Sequence, residues 1–209
     1  MAERLKAEET IADHAEEVTV LFADLVGFTG IADRTDARQV VELLNEIFSA
    51  FDDLVDRARL EKIKTLGDGY MVAAGIPTSR VDHAEAAGEL ALEMQRCLAS
   101  LPRAASAGVA LRIGLDSGPV VAGVIGRSKF SYDLWGDTVN TASRMQSHAE
   151  PGEIRVTEAT YRRLVGSFDL EPRDLLEVKG KGPMRTYVLQ GRRAAGRSTA
   201  PLEEQTVST

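Results

Sequence analysis

Residues 62–74 read Lys-Ile-Lys-Thr-Leu-Gly-Asp-Gly-Tyr-Met-Val-Ala-Ala. Two short runs of strand-forming residues flank the glycines, and an Asp68-Gly69 turn between them predicts a β-hairpin. Upstream, residues 36–56 set Val40, Leu44, Ile47, Phe48, Phe51, Leu54 and Val55 at helical spacing, behind Asp36 and Gln39 placed as a capping pair. Before that helix, Val18-Thr19-Val20-Leu21-Phe22-Ala23 is a short apolar run of β-formers and predicts a buried strand. Downstream, a helix over 82–98 puts Ala84, Ala87, Leu90, Met94 and Cys97 on one face, and 111–116 follows as a strand. The order is therefore strand, helix, strand, strand, helix, strand. Such a split βαβ unit lays its first strand beside the hairpin in an antiparallel sheet, with both helices on one face. A strand at 120–125, a loop, a helix over 137–147 and strands near 153–156, 174–178 and 185–189 complete the chain. The fold class expected is α+β: a ferredoxin-like βαββαβ core with a C-terminal αβ extension.

Outside this core the pattern fades. Residues 1–16 are charged and helix-prone with few apolar positions, and are expected to be a helical or linker segment. After Gln190 periodicity is lost, so 17–190 is read as the domain and 191–209 as a disordered tail. A net charge of −7 argues against a nucleic-acid polymerase or binder, which usually carries a basic face. The single cysteine, Cys97, has no partner for an internal disulfide and lies on an apolar helical stripe, where a packed thiol is expected. No run approaches the ~18 apolar residues of a membrane span and no signal peptide is visible, which fits a cytoplasmic chain. A longer or membrane-associated parent stays open on sequence grounds. His83 and His148 are expected at the surface.

Two aspartates stand out by position. Asp24 ends the first strand and Asp68 occupies the hairpin turn that should lie beside it. Two carboxylates that close are costly unless a cation sits between them, and oxygen donors without His or Cys favour Mg²⁺ or Mn²⁺. Alone, either residue reads as ordinary turn or strand-end chemistry. Their neighbours change the balance. Asp24-Leu25-Val26-Gly27-Phe28-Thr29 runs from the strand into a short helix, where Gly27 permits close approach and the following amides can meet phosphate. Leu25 can add a backbone carbonyl to a metal. The combination describes triphosphate chemistry with two metal ions.

A second constellation lies in Tyr132-Asp133-Leu134-Trp135-Gly136-Asp137-Thr138-Val139-Asn140-Thr141-Ala142-Ser143-Arg144-Met145. Asp137 is placed as an N-cap, and Asn140 and Arg144 are four apart on one helix face. An amide beside a guanidinium suits ribose and phosphate, although the same pair also reads as a plain exposed face.

These three stretches, FADLVGFT at 22–29, KIKTLGDGYM at 62–71 and YDLWGDTVNTASRM at 132–145, closely resemble the class III adenylyl/guanylyl cyclase family in residues, order and spacing, over roughly 17–190. The resemblance implies that Asp24 and Asp68 bind two Mg²⁺ or Mn²⁺ ions. It makes Lys64 and Asp133 the readers of the adenine edge, where guanylyl members carry Glu and typically Cys. Asn140 and Arg144 become the ribose-orienting and transition-state residues, and Lys179 in the Lys-Gly-Lys-Gly turn a phosphate contact. Arg127 and Lys129 are further phosphate-binding suspects. The activity implied is that of an adenylate cyclase, making 3′,5′-cyclic AMP and pyrophosphate from ATP. The implied assembly is a head-to-tail homodimer with shared sites, since one chain carries all six residues. No residue is an obvious general base. The rival readings are a guanylate or mixed-specificity cyclase and a silent nucleotide-binding module; no Gly-Gly-Asp/Glu-Glu-Phe motif supports a dinucleotide cyclase.

Overall fold

The computed structural model describes residues 12–32, 34–125 and 131–194. Strand β1 (Ala12–Val26) leads into the short helix α1 (Phe28–Ala32) and the long helix α2 (Ala37–Ala58). The hairpin follows as β2 (Glu61–Leu66) and β3 (Gly69–Ala74), then α3 (His83–Ser100) and α4 (Pro102–Ala107). Next come β4 (Ala110–Ile125), β5 (Ser131–Trp135) and α5 (Asp137–Ser147). The chain closes with β6 (Ile154–Thr157), α6 (Glu158–Leu164), β7 (Phe168–Val178) and β8 (Gly182–Arg192). One sheet runs in the order β2-β3-β1-β4-β6-β8-β7, with β5 paired onto β4 beside that path. Its first four strands are mutually antiparallel, as expected for a ferredoxin-like core, and β6 extends the sheet by pairing parallel to β4.

Burial on both faces explains why β3 is apolar throughout. Leu21, Ala23, Leu25, Val72, Ala74, Ile113 and Leu115 face α2 and α3, which return Ile47, Phe51, Leu90 and Met94. The alternate residues Val18, Val20, Met71, Ala73, Val120 and Ala122 form a second cluster with Leu134 and with Ala142 of α5. Helix α5 lies directly on β4 there. A Cβ on Gly114 would stand 2.0 Å from the backbone nitrogen of Gln146 and 2.5 Å from the carbonyl oxygen of Ala142. Gly114→Ala must therefore push the helix off the sheet, and urea unfolding is expected to show a loss of about 3 kcal/mol or more.

Several expectations change. Residues 12–16 are strand, not helix: Ala12 to Ala15 pair with Gly123 to Val120, which satisfies the backbone of the far half of β4. The strands expected at 111–116 and 120–125 are one strand, running through Pro119. The register slips there, with Glu16 and Glu17 of β1 opposite Pro119 alone, so the missing proline N–H falls at a bulge. Finally, β8 continues to Arg192, and β5, α4 and α6 appear where no element is expected. The remainder of both terminal segments, 1–11 and 195–209, lies outside the described residues.

His83 is the clearest correction: it is buried, not superficial, at 3 % exposure. As the first residue of α3 it is pressed against β1, where its Nδ1 meets the Thr19 hydroxyl at 2.7 Å and its Nε2 meets Glu17 at 3.1 Å. The carboxylate can only accept, so Nε2 carries the proton and Nδ1 accepts from Thr19. Burial pulls its pKa below the usual histidine value despite Glu17. From Thr19 hydroxyls continue through the sheet to Ser117 (2.7 Å) and Thr160 (2.9 Å). His148 is exposed, as expected. Cys97 is partly buried against the helix-side core, where burial pushes its thiol up.

Asp116 lies at the inner end of this seam. Its Oδ1 accepts from Thr157 Oγ1 at 2.5 Å and from the Ser117 amide at 2.9 Å. Burial nevertheless lifts its carboxyl from 3.8 to about 6, with Asp137 adding to the rise and Lys181 opposing it. A raised folded pKa means a contribution fully present below about pH 4 and lost as pH rises through about 6. Asp116→Asn should therefore gain roughly 2 kcal/mol on the native chain between about pH 4 and pH 7, read from urea midpoints across that range.

Candidate active site

At the end of the central strands, Asp24 is paired across the sheet with Gly69 on one side and Arg112 on the other. Leu66 and Gly69 are cross-strand partners, so the hairpin turn is Gly67-Asp68 and not Asp68-Gly69. Gly67 has φ +64°, the positive value a type II′ turn requires at its first central residue. The Leu25 amide donates to the Asp68 carbonyl at 3.4 Å, tying the turn to β1. Asp24 and Asp68 thus share one edge of adjacent strands. Leu25 and Phe28 bury their side chains in the helix-side core, leaving only their main chains for any ligand. Gly27 takes φ +87°, which turns the chain from β1 into α1, where Thr29 is the second residue.

The Asp24 carboxylate already has a cationic partner. Arg112 Nη2 and Nε donate to its Oδ2 at 2.7 and 2.9 Å. Oδ1 of Asp24 and the Asp68 carboxylate have no hydrogen-bond or ion-pair partner among the described residues. These are hard oxygen donors, one of them in contact with a cation, and they fit Mg²⁺ or Mn²⁺. No group of three His, Cys, Asp or Glu gathers around a point among the described residues. The side chains here therefore offer two carboxylates, the sparse kind of set from which Mg²⁺ sites are completed by water and phosphate.

Lys64 and Asp133 come from β2 and β5, far apart in sequence. Their side chains nonetheless meet, with Lys64 Nζ donating to Asp133 Oδ2 at 2.5 Å. Both are partly buried, at 33 % and 21 % exposure. Asp133 is steadied by its other oxygen, which accepts from the Leu134 amide at 2.8 Å. A cationic donor and an anionic acceptor thus stand side by side.

Helix α5 carries the third group. Its N-cap is Gly136 at φ +137°, and Asp137, expected as the cap, is instead the first helical residue. Asp137 accepts a short charged hydrogen bond from Lys181 in the β7–β8 turn. Asn140 is exposed and Arg144 half-buried, and neither side chain has a hydrogen-bond or ion-pair partner among the described residues. Lys179 is exposed and likewise unpaired. Arg127 and Lys129 fall outside the described residues. Among the described residues, no hydrogen bond or ion pair joins these three groups to one another.

The family model for the adenylate and guanylate cyclase catalytic domain matches residues 11–191. The chain belongs to this family. An adenylate cyclase of Mycobacterium tuberculosis is 50 % identical over 197 residues, covering 93 % of this chain and 44 % of that protein. The chain thus spans less than half the length of that relative. Among solved structures, the guanylate cyclase domain of RhGC from Catenaria anguillulae, in complex with GTP, matches with a TM-score of 0.84 and 40 % identity. The match covers 87 % of this chain and all of that one. The catalytic core of a rhodopsin-guanylyl cyclase with converted specificity, in complex with ATPαS, matches at 41 % identity and the same TM-score, covering 88 % and 100 %.

Two residues of this cyclase domain escape sequence reasoning. Arg112 sits in Leu-Arg-Ile-Gly inside an apolar strand, and only the β1–β4 register reveals Asp24 opposite it. The one signal is a lone cation in an otherwise apolar run. Lys181, and not Lys179, ties the β7–β8 turn to α5, a choice that two lysines separated by one glycine cannot disclose. Among its described residues the cyclase domain has no helix long and apolar enough to cross a membrane.

Proposed function

We propose that the chain converts ATP to 3′,5′-cyclic AMP and pyrophosphate at sites shared between two copies of itself. The observation that carries this reading is the Lys64–Asp133 pair. The adenine edge offers a ring-nitrogen acceptor beside an amine donor, which a lysine and a carboxylate complement; guanine presents the reverse pattern. With relatives of both specificities at 40 % identity or more, these two residues decide the base.

Asp24 and Asp68, with the Leu25 carbonyl, would hold two divalent ions. When bound, Mg²⁺ or Mn²⁺ activates the ribose 3′-oxygen and neutralises charge on the phosphates. The 3′-hydroxyl loses its proton, which leaves with the pyrophosphate or to solvent, and its oxygen forms a bond to the α-phosphorus as the bond to the bridging oxygen breaks and pyrophosphate departs. Arg144 sets a positive charge against the pentavalent phosphorus, and Asn140 orients the ribose. Lys179 and the main chain at Gly27, Phe28 and Thr29 contact the phosphates.

The sharing of sites is supported by the inventory of one chain, which holds both halves, with no hydrogen bond or ion pair between them among the described residues. Val121, Ile125 and Trp135 also stay exposed along β4 and β5, at 38 %, 61 % and 37 %, an apolar surface suited to a second copy in a head-to-tail pair. The test is to incubate purified protein with Mn²⁺ and either ATP or GTP and resolve the products by chromatography. Cyclic AMP from ATP is expected; cyclic GMP as the main product, or no product from either, overturns the reading.

A further inference from the structure

We propose that His83 and the hydroxyls of Thr19, Ser117 and Thr160 form a proton-operated switch: a proton taken up by the imidazole reverses every hydroxyl, and the last then bonds to Thr157, the partner of Asp116. Thr19, Ser117 and Thr160 are buried, at 6 % exposure or less. Among the described residues their hydroxyls hydrogen-bond only with one another, with His83 and with Thr157, so the protons can be counted. Neutral His83 gives its one proton, on Nε2, to Glu17. Three short contacts remain to be filled: Nδ1 with Thr19 at 2.7 Å, Thr19 with Ser117 at 2.7 Å and Ser117 with Thr160 at 2.9 Å. The three hydroxyl protons fill them in one direction only. Thr19 donates to Nδ1, Ser117 to Thr19 and Thr160 to Ser117. Thr157 donates its own proton to Asp116 at 2.5 Å, which leaves none between the Thr157 and Thr160 oxygens. That contact is the long one, at 3.4 Å.

Protonating Nδ1 adds one proton from solvent, and each hydroxyl keeps its own proton and rotates. The imidazolium donates at both nitrogens, so Thr19 turns toward Ser117, Ser117 toward Thr160 and Thr160 toward Thr157. The new bond polarises the Thr157 hydroxyl toward Asp116 and favours the carboxylate there. Asp116 also responds to Asp137 at the start of α5 and to Lys181 in the β7–β8 turn. Along the same strand, Thr138 of α5 donates to the Pro119 carbonyl at 2.8 Å. A proton gained at the first turn of α3 is therefore registered beneath the first turn of α5, on the opposite face of the sheet. Around His83, Glu17 of β1 and the adjacent Asp82 and Glu85 favour the charged ring. Burial and Arg163 of α6 oppose it and prevail, so the switch is thrown on the acid side of the ordinary histidine range.

The experiment labels the histidine rings with ¹⁵N and follows them by NMR from about pH 8 downward. The chain has three histidines, and the other two, His14 and His148, are exposed, so their Gln variants assign the His83 signals by elimination. Wild type is expected to show the Nε2–H tautomer before the ring titrates, a result that needs no variant to fold. Ser117→Ala and Thr160→Val each leave the reversed chain with a buried hydroxyl proton that has no acceptor, and each should weaken proton binding by His83 about tenfold. Thr160 does not touch His83, so a purely structural role for it leaves the His83 midpoint in place. Thr186→Val is the control. That hydroxyl is buried opposite Thr157 and has no partner, and its loss should change proton binding by less than about twofold. An Nδ1–H tautomer in wild type, or a ring that stays neutral until the chain unfolds, overturns the switch. So does an unmoved midpoint in either chain variant, or an equal shift in Thr186→Val.

Discussion

Asp24→Ala and Arg144→Ala are each expected to lose about a thousandfold in cyclase activity, and a mixture of the two to recover about a quarter of the wild-type rate. The fraction follows from symmetry. In an equal mixture half the dimers are mixed, and each has one site with both lesions and one with neither. A quarter of all sites are then intact. The recovery has to scale with mixed dimer, measured by differential tagging. Confirmed mixed dimers without activity would mean that Asp24 and Arg144 serve the same site from one chain.

The second large effect concerns the base. Lys64→Glu combined with Asp133→Cys should lower kcat/KM for ATP by about a hundredfold or more and make GTP the preferred substrate. Reversing the donor and acceptor leaves adenine facing groups of its own kind, and an unpaired buried polar group costs more than a lost bond returns. The single variants are informative. Lys64→Glu alone sets two carboxylates where a 2.5 Å ion pair stood and should lose activity on both nucleotides. If the double variant stays on ATP, the Lys64–Asp133 pair does not read the base.

What the sequence discloses follows the range of the interactions. Asp24 and Asp68 can be brought together from it because each sits at the end of its own local element, and strand next to hairpin is the simplest pairing. Asn140 and Arg144 need only helical spacing. Arg112 requires the register of two strands separated by 88 positions, and no local pattern encodes that. His83 looks superficial because it follows the stretch Arg80-Val81-Asp82, which carries two charges in three residues. Its burial arises only when the first turn of α3 docks on Thr19. Pro119 argues for a break between two strands until the opposing bulge at Glu16 and Glu17 absorbs it. Lys64 and Asp133 are joined only when β5 returns along β4, in a stretch whose composition reads as loop.

On the proposed reading, that last pair sets the timing of recognition as well as its outcome. Lys64 and Asp133 satisfy each other, so on that reading a purine has first to part them. Adenine and guanine meet the same closed door at the same height, and their arrival rates should be alike. They differ only afterwards, because adenine restores both bonds and guanine neither. On the proposed reading, discrimination by this domain is written in how long a base stays, not in how readily it enters, and stopped-flow dissociation of fluorescent ATP and GTP analogues would read it directly.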